Sequence, residues 1–359
     1  MTALIIFILV LGILILAHEW GHFIAAKRSG LTVEEFGFGF PPRIFSIKRG
    51  ETLYSINLLP LGGFVKILGE DGTELENPKS FSSRPAGIRS LITISGVFMN
   101  FLLAAFLLVI GFYIGLPQII DKDNEALAKN VKIQIVAVSN GSPAEKSGIK
   151  MGDVVKYLKI DSKNTTISEI STLQKNISDS KGKEITIAIQ RGKKVLEINT
   201  VPRTNPPEGE GALGIALAKT GIISHTWYES VWLGIKSAFI ISWEIIKGFG
   251  GLLKNLIISG KIPKDIAGPV GIAVLTNQAT TLGFIYLLQL VAIISLNLAV
   301  LNLIPFPALD GGRLLFLGIE KIKGSKVNPK IENAIHSIGI VLLLALVMLI
   351  TYRDIIRLK

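Results

Sequence analysis

The chain reads as a polytopic α-helical membrane protein with four transmembrane helices, a membrane-associated β-hairpin region and an inserted α+β domain. Three observations predict this. Of its 359 residues 49% are hydrophobic, and the mean hydropathy is +0.51, too apolar for an ordinary soluble protein. Four segments, about 2–26, 88–116, 282–304 and 335–352, approach or exceed the ~18–20 residues that cross a bilayer. Between the second and third lies a long, more polar stretch with strand and helix patterns of its own.

The first span carries no charge from Thr2 to Ala17 and then runs into His18-Glu19-Trp20-Gly21-His22. No basic segment precedes the apolar run and no A-x-A site follows it, so it reads as a retained helix rather than a signal peptide. A charge at membrane depth costs on the order of 3 kcal/mol or more and is usually kept for function. On a helix, positions i and i+4 share a face, so the His18 and His22 imidazoles can reach one metal ion. Glu19, beside them, can act as a base on water. The chain has four histidines and no cysteine, so it has neither a disulfide framework nor a thiolate metal site. Any zinc must use His, Asp or Glu.

After the first span, residues 36–69 are punctuated by Gly and Pro. Apolar residues alternate there: Phe36, Phe38, Phe40, then Ile44, Phe45, Ile47, then Leu53, Tyr54, Ile56, and then Leu61, Phe64, Val65, Ile67, a pattern of β-hairpins with apolar faces. Lys48-Arg49-Gly50-Glu51 reads as a hairpin turn. So many aromatics close to a span imply a sheet that dips into the membrane edge, where a strand edge can pair with an unwound substrate backbone. The second span, 88–116, completes an N-terminal membrane unit of residues 1–120.

Residues 121–203 follow a different pattern. Val131 to Val138 alternates like a strand, and Ser142-Pro143-Ala144-Glu145 opens a short helix with a capping residue before Pro. A helix over Ile167–Ile177 and a hairpin around Arg191-Gly192-Lys193 complete the region. The run from Ser142 to Val155 resembles the PDZ fold in its circularly permuted bacterial form. Residues 204–281 read as a Pro/Glu/Gly linker and then an amphipathic helix, Trp227–Leu256, at the outer interface; its tryptophans fall at helical spacing among Lys236, Glu244 and Lys247.

The C-terminal membrane unit, 282–359, holds the third and fourth spans. The third contains Gln289, Asn297 and Asn302, a polar side that must face protein. It ends in Asn302-Leu303-Ile304-Pro305-Phe306-Pro307-Ala308-Leu309-Asp310-Gly311-Gly312. Two prolines break the helix there, and paired glycines let the backbone turn after the carboxylate. Broken backbone at membrane depth is tolerated only inside protein or beside a wet cavity. Catalytic zinc takes three protein ligands, and Asp310 is the better third candidate. His225 lies in the remote insert, and His336 reads as a satisfied helix-end residue.

Basic residues set the orientation. None precedes the first span, whereas residues 27–89 and the loop between the third and fourth spans are rich in Lys and Arg. Those loops are expected in the cytoplasm and the insert outside. His18 then sits about 22–24 Å into the membrane, in its cytoplasmic half, at the depth of Asp310. The net charge of +11 fits cytoplasmic loops and anionic lipid contact, and no nucleic-acid-binding motif accompanies it.

His18-Glu19-Trp20-Gly21-His22 in the first span and the Asn302–Gly312 run in the third resemble the site-2 protease family of intramembrane zinc metalloproteases. The PDZ-like insert, Gly62-Gly63-Phe64-Val65 and Gly268-Pro269-Val270-Gly271-Ile272 resemble its bacterial regulator-of-sigma-E protease group. Some members of that group carry two PDZ domains, and this chain has room for one. The resemblance implies a multi-pass protein of the bacterial inner membrane, with the active site toward the cytoplasm and the PDZ domain extracytoplasmic. Zn2+ would be held by His18, His22 and Asp310, with Glu19 as the catalytic base. Asn302 would hold substrate backbone or the oxyanion, and Pro305 and Pro307 would help unwind the substrate. The implied partners are single-pass membrane protein substrates, such as anti-sigma factors or signal-peptide remnants, an upstream site-1 protease and membrane lipid. A non-catalytic PDZ adaptor or chaperone is the alternative. It would be expected to lack a ligand or the base, and all four residues are present.

Overall fold

The structure, a computed structural model, describes residues 2–121, 124–160, 163–192, 194–260 and 268–357. The chain divides into two compact units. One comprises Met1–Ile110, Val231–Asn277 and Leu288–Lys359; the other comprises Gly111–Ser230 and Gln278–Leu287.

Four helices are long and apolar enough to cross a membrane. They are α1 (Thr2–Arg28), α2 (Ala86–Ile114), α7 (Phe284–Leu303) and α9 (Pro329–Arg357); the remaining labels follow chain order. α1 and α2 pack antiparallel. Arg84, just before α2, donates to the Ser29 carbonyl at 3.0 Å, and further along His22 meets Ile92. They cross tightly at Gly21, where an added Cβ would come within 2.7 Å of the Ser95 carbonyl carbon. Without a hydrophobic drive between helices in lipid, such small residues permit the close backbone contact that holds spans together.

Between α1 and α2 lie two long strands, β1 (Val33–Arg49) and β2 (Thr52–Ile67), joined by a tight turn at Gly50, φ 60°. The turn falls where the Lys48–Glu51 cluster predicts it. β1 pairs with β2 in two registers. Phe36 faces both Val65 and Tyr54, while Phe45 to Arg49 face Ile56 to Thr52. The first part of β1 is therefore flanked on both sides, and the edge formed by Gly63–Ile67 has no second ladder partner among the described residues. Phe40, Ile44, Phe45, Ile47 and Ile56 are exposed. The opposite side packs Phe36 and Ile67 against Phe23, Ala26 and Ile92 of the helices.

The second unit is built on a seven-stranded sheet. Its strands are β3 (Leu116–Ile119), β4 (Lys129–Val138), β5 (Val154–Ile160), β6 (Lys163–Thr166), β7 (Ile185–Arg191), β8 (Lys194–Thr200) and β9 (Ile215–Ile223). Their order is β3-β9-β4-β5-β7-β8, with β6 on β5. Ile135, Leu158, Leu173, Ile187 and Leu213 are fully buried in its core. The short helix α3 (Pro143–Lys146) starts as its sequence dictates: Ser142 Oγ accepts from the Glu145 N–H at 3.2 Å, and Pro143 occupies the first turn. The second helix, α4, is Ile170–Asp179. Lys193, in the expected β7–β8 turn, lies outside the described residues.

Two elements differ from expectation. β9 falls in the stretch read as linker, because its apolar run is short and follows a Pro- and Gly-rich segment that masks it. α5 (Trp227–Ser259) was a candidate for the outer interface, yet part of it runs along α2. Gly234 lies close against Val109, and the Phe101 and Phe239 rings are 4.8 Å apart. The missing Cβ at Gly234 lets the two helices approach. Residues 261–267, within the 204–281 segment, lie outside the described residues. α6 (Pro269–Leu282) follows them, capped by the Asp354 carboxylate, which accepts from the N–H groups of Gly268 at 2.9 Å and Gly271 at 2.7 Å.

Candidate metal centre

His18 and His22 sit one turn apart on α1, and α8 (Asp310–Lys323) brings Asp310 to them at its first position. His18 Nε2 is 3.2 Å from Asp310 Oδ2, His22 Nε2 is 3.3 Å from the same oxygen, and the two nitrogens are 3.3 Å apart. The imidazole planes are nearly perpendicular, at 86°. Four-coordinate zinc with bonds of about 2.0–2.1 Å has donor-to-donor edges of about 3.3–3.4 Å. The triangle is thus one face of a zinc-sized tetrahedron.

Its chemistry also fits a cation. His22 Nδ1 lies 2.8 Å from the Ile92 carbonyl, which can only accept, so that nitrogen carries the proton and Nε2 presents its lone pair to the centre. Asp310 Oδ2 is buried and makes no well-formed hydrogen bond among the described residues. Lone pairs therefore converge with too few protons between them, an arrangement a divalent ion resolves.

The surrounding helices are shaped to this centre. A Cβ on Gly96 of α2 would come within 2.8 Å of His18 Cε1 and 2.7 Å of His22 Cε1. Only glycine allows α2 to pass this close. Gly63 of β2 is in the same position toward the base, since its Cβ would lie 3.1 Å from Glu19 Cγ.

His18, His22 and Asp310 line one cavity of about 480 Å3, with Glu19, Phe64, Thr93, Asn302 and Arg313 among its walls. Five of the seven candidate residues read from the sequence, His18, Glu19, His22, Asn302 and Asp310, meet there. Pro305 and Pro307 do not line it. Pro307 instead backs onto α9, where a Cβ at Gly339 would lie within 2.5 Å of it.

Three residues outside the sequence motifs touch the cavity wall or the loop before Asp310. Arg313, one turn after Asp310, pairs with Glu70, and both line the cavity. His336 of α9 accepts from the Ala308 N–H at 3.0 Å. The signal for Arg313 was its i+3 spacing from Asp310 on one helix face. Nothing local marks Glu70 or His336.

The sequence profile of peptidase family M50 matches residues 6–346. A protein of Clostridium acetobutylicum with a provisional zinc-metalloprotease name is 34% identical over 360 residues, covering 98% of this chain and 97% of that one. The zinc metalloprotease RasP of Oceanobacillus iheyensis is 29% identical, with 100% of each chain covered. The regulator of sigma-W protease RasP of Bacillus subtilis is 29% identical, with 99% of each covered. The chain belongs to peptidase family M50, the site-2 protease family. It is a membrane protein and a zinc metalloprotease.

Proposed function

We propose that this protein hydrolyses a peptide bond within or near the transmembrane segment of single-pass membrane proteins. One observation carries the reading: three ligand atoms within 3.3 Å of one another, beside Glu19, in a cavity of the unit that holds the four apolar helices. His18, His22 and Asp310 hold the metal. Zinc, when bound, acidifies water and polarises a carbonyl. Glu19 takes the proton of the attacking water and delivers it to the leaving amine. Asn302 binds substrate backbone or the developing oxyanion.

A helical substrate has no free amides and must unwind to be cut. The edge of Gly63–Val65 lies in the cavity wall with no second ladder partner among the described residues, so it offers a strand template to such a segment. The exposed aromatic face of β1 and β2 fits a sheet dipped into lipid. Lys and Arg counts favour a cytoplasmic-side active site and an extracytoplasmic insert.

We read the insert as a PDZ-like domain. A groove of about 260 Å3, lined by Gln174, Ile177, Lys181, Leu213, Ile215 and Leu217, runs between α4 and β9 and suits an extended chain or a gating role. With the sigma-W regulator as a relative, the favoured setting is regulated intramembrane proteolysis in the bacterial inner membrane, downstream of a site-1 protease.

The test is cleavage of a reporter transmembrane segment by purified protein in detergent. Glu19→Gln should abolish cleavage and keep zinc, whereas Asp310→Ala should lose both. Cleavage by Glu19→Gln at the wild-type rate would overturn the mechanism.

A further inference from the structure

Two buried polar groups on the packed helices α1 and α2 have no hydrogen-bond partner among the described residues: His18 Nδ1, and both the oxygen and nitrogen of the Asn100 carboxamide. Asn100 is 1% exposed in the middle of α2. An unsatisfied amide inside a membrane helix costs several kcal/mol by transfer energetics, so a lone one is not kept for packing. A histidine that binds metal through one nitrogen almost always donates its other N–H to an acceptor. His22 has that acceptor in the Ile92 carbonyl, and His18 has none.

Helix geometry aims the two orphans at each other. α1 and α2 are antiparallel, with His22 beside Ile92 and His18 beside Gly96. Asn100 is one turn beyond Gly96. Side chains on a helix lean toward its N-terminus. On α2 that direction carries the Asn100 carboxamide back over the Gly96 turn. On α1 it carries the His18 ring toward the level of Asn100. Gly96 presents no side chain between them. Ser295 of α7 fixes the turn, donating to the Asn100 backbone carbonyl at 2.7 Å and being itself fully buried.

We propose that Asn100 is the positioning residue of His18: its carboxamide oxygen accepts the His18 Nδ1–H through one bridging water, and so presents the Nε2 lone pair to the metal. The inference rests on His18 being a ligand, as read above. It makes the two imidazoles equivalent in design, one oriented by a backbone carbonyl and the other by a side chain of the same helix.

The experiment measures zinc affinity of the full-length protein in detergent by competition with a chelator, alongside zinc-free thermal stability. Asn100→Leu keeps the volume and removes the acceptor, and it should weaken zinc by about 10–100-fold. Asn100→Asp keeps an acceptor and should remain within a few-fold of wild type. Asn100→Ala replaces Leu if that variant does not assemble. Wild-type affinity in the Leu or Ala variant overturns the proposal, as does equal loss in Asp and Leu. A fall in zinc-free stability with unchanged affinity assigns Asn100 to packing and also overturns it. His18→Ala separates the two layers. If it loses zinc while Asn100→Leu does not, only the positioning role fails. If it retains zinc, the ligand assignment fails and the proposal falls with it.

Discussion

The backbone N–H of Ala308 donates to His336 Nδ1 at 3.0 Å, tying the loop before Asp310 to the helix α9. Ala308 has φ 83°, a left-handed conformation that L side chains rarely adopt. The strain persists because the surroundings fix it, and the His336 bond is one of the groups that do so. His336→Leu should leave the Ala308 N–H unpaired at a cost of about 1–3 kcal/mol. It should also loosen the carboxylate two residues on, with a measurable drop in zinc affinity. Ala308→Gly should raise stability by up to about 1 kcal/mol, since glycine adopts this conformation freely. A thermal melt in which Ala308→Gly is less stable than wild type contradicts this account.

Gly96→Ala puts a methyl group against both metal-binding rings, closer than real Cβ contacts run. Neither backbone nor imidazole can yield without moving a ligand. Zinc affinity should fall by at least about tenfold, the scale of changes around bound metals. Gly87→Ala on the same helix meets nothing within 4 Å and serves as the control. If both variants bind zinc as wild type does, the close approach of α2 has no role in shaping the site.

The chemistry of the site was far more legible in the sequence than the frame that aligns it. His18, Glu19 and His22 declare themselves because a helix turns spacing into a shared face. Asp310 follows because two prolines and two glycines at membrane depth need a reason to be there. Gly96 and Glu70 could not be found the same way, and His336 could be read only as a satisfied helix-end residue. Each acts through the register between helices, or between a helix and a loop, and no local period encodes that register. The double flanking of β1 was hidden for a related reason, because β2 bends around β1 and pairs with it twice. Pro305 and Pro307 were conspicuous as helix breakers, but a breaker's position does not say which side of the chain meets substrate.

Glu70 and Arg313 form an ion pair in the cavity wall, where removing one partner leaves the other charge uncompensated. Glu70→Gln and Arg313→Gln should each lower kcat/KM for a reporter segment. The double variant should lose less than the sum of the two. Groups in direct contact couple by about 0.5–3 kcal/mol, and a coupling near zero would mean the pair is not kept during turnover.

Removal of the metal should abolish cleavage and lower thermal stability together, because a ligand that binds only the folded state stabilises it by mass action. Free zinc at about 100 times its Kd contributes about 2.7 kcal/mol. Glu19→Gln should show the same zinc-dependent rise in melting temperature as wild type, and Asp310→Ala should show none. A zinc-dependent rise that survives in Asp310→Ala would place the ion elsewhere.

In the second unit Asp153 is 1% exposed and holds Arg191 through two contacts of 2.7 Å, while accepting the Lys150 N–H at 2.8 Å. Arg191 also donates to the Gly148 carbonyl at 2.7 Å. The pair joins the loop after α3 to the end of β7, so it closes the sheet where the chain reverses. Asp153→Asn keeps the shape and removes the charge. The expected loss is up to about 3 kcal/mol, below that of a fully buried pair because the Arg191 side chain is 28% exposed. Limited proteolysis should then cut within residues 111–230 faster than in wild type, with zinc content unchanged. The two readouts must part company: if zinc content falls along with protease resistance, the variant has disturbed the whole chain rather than the lock between these two residues.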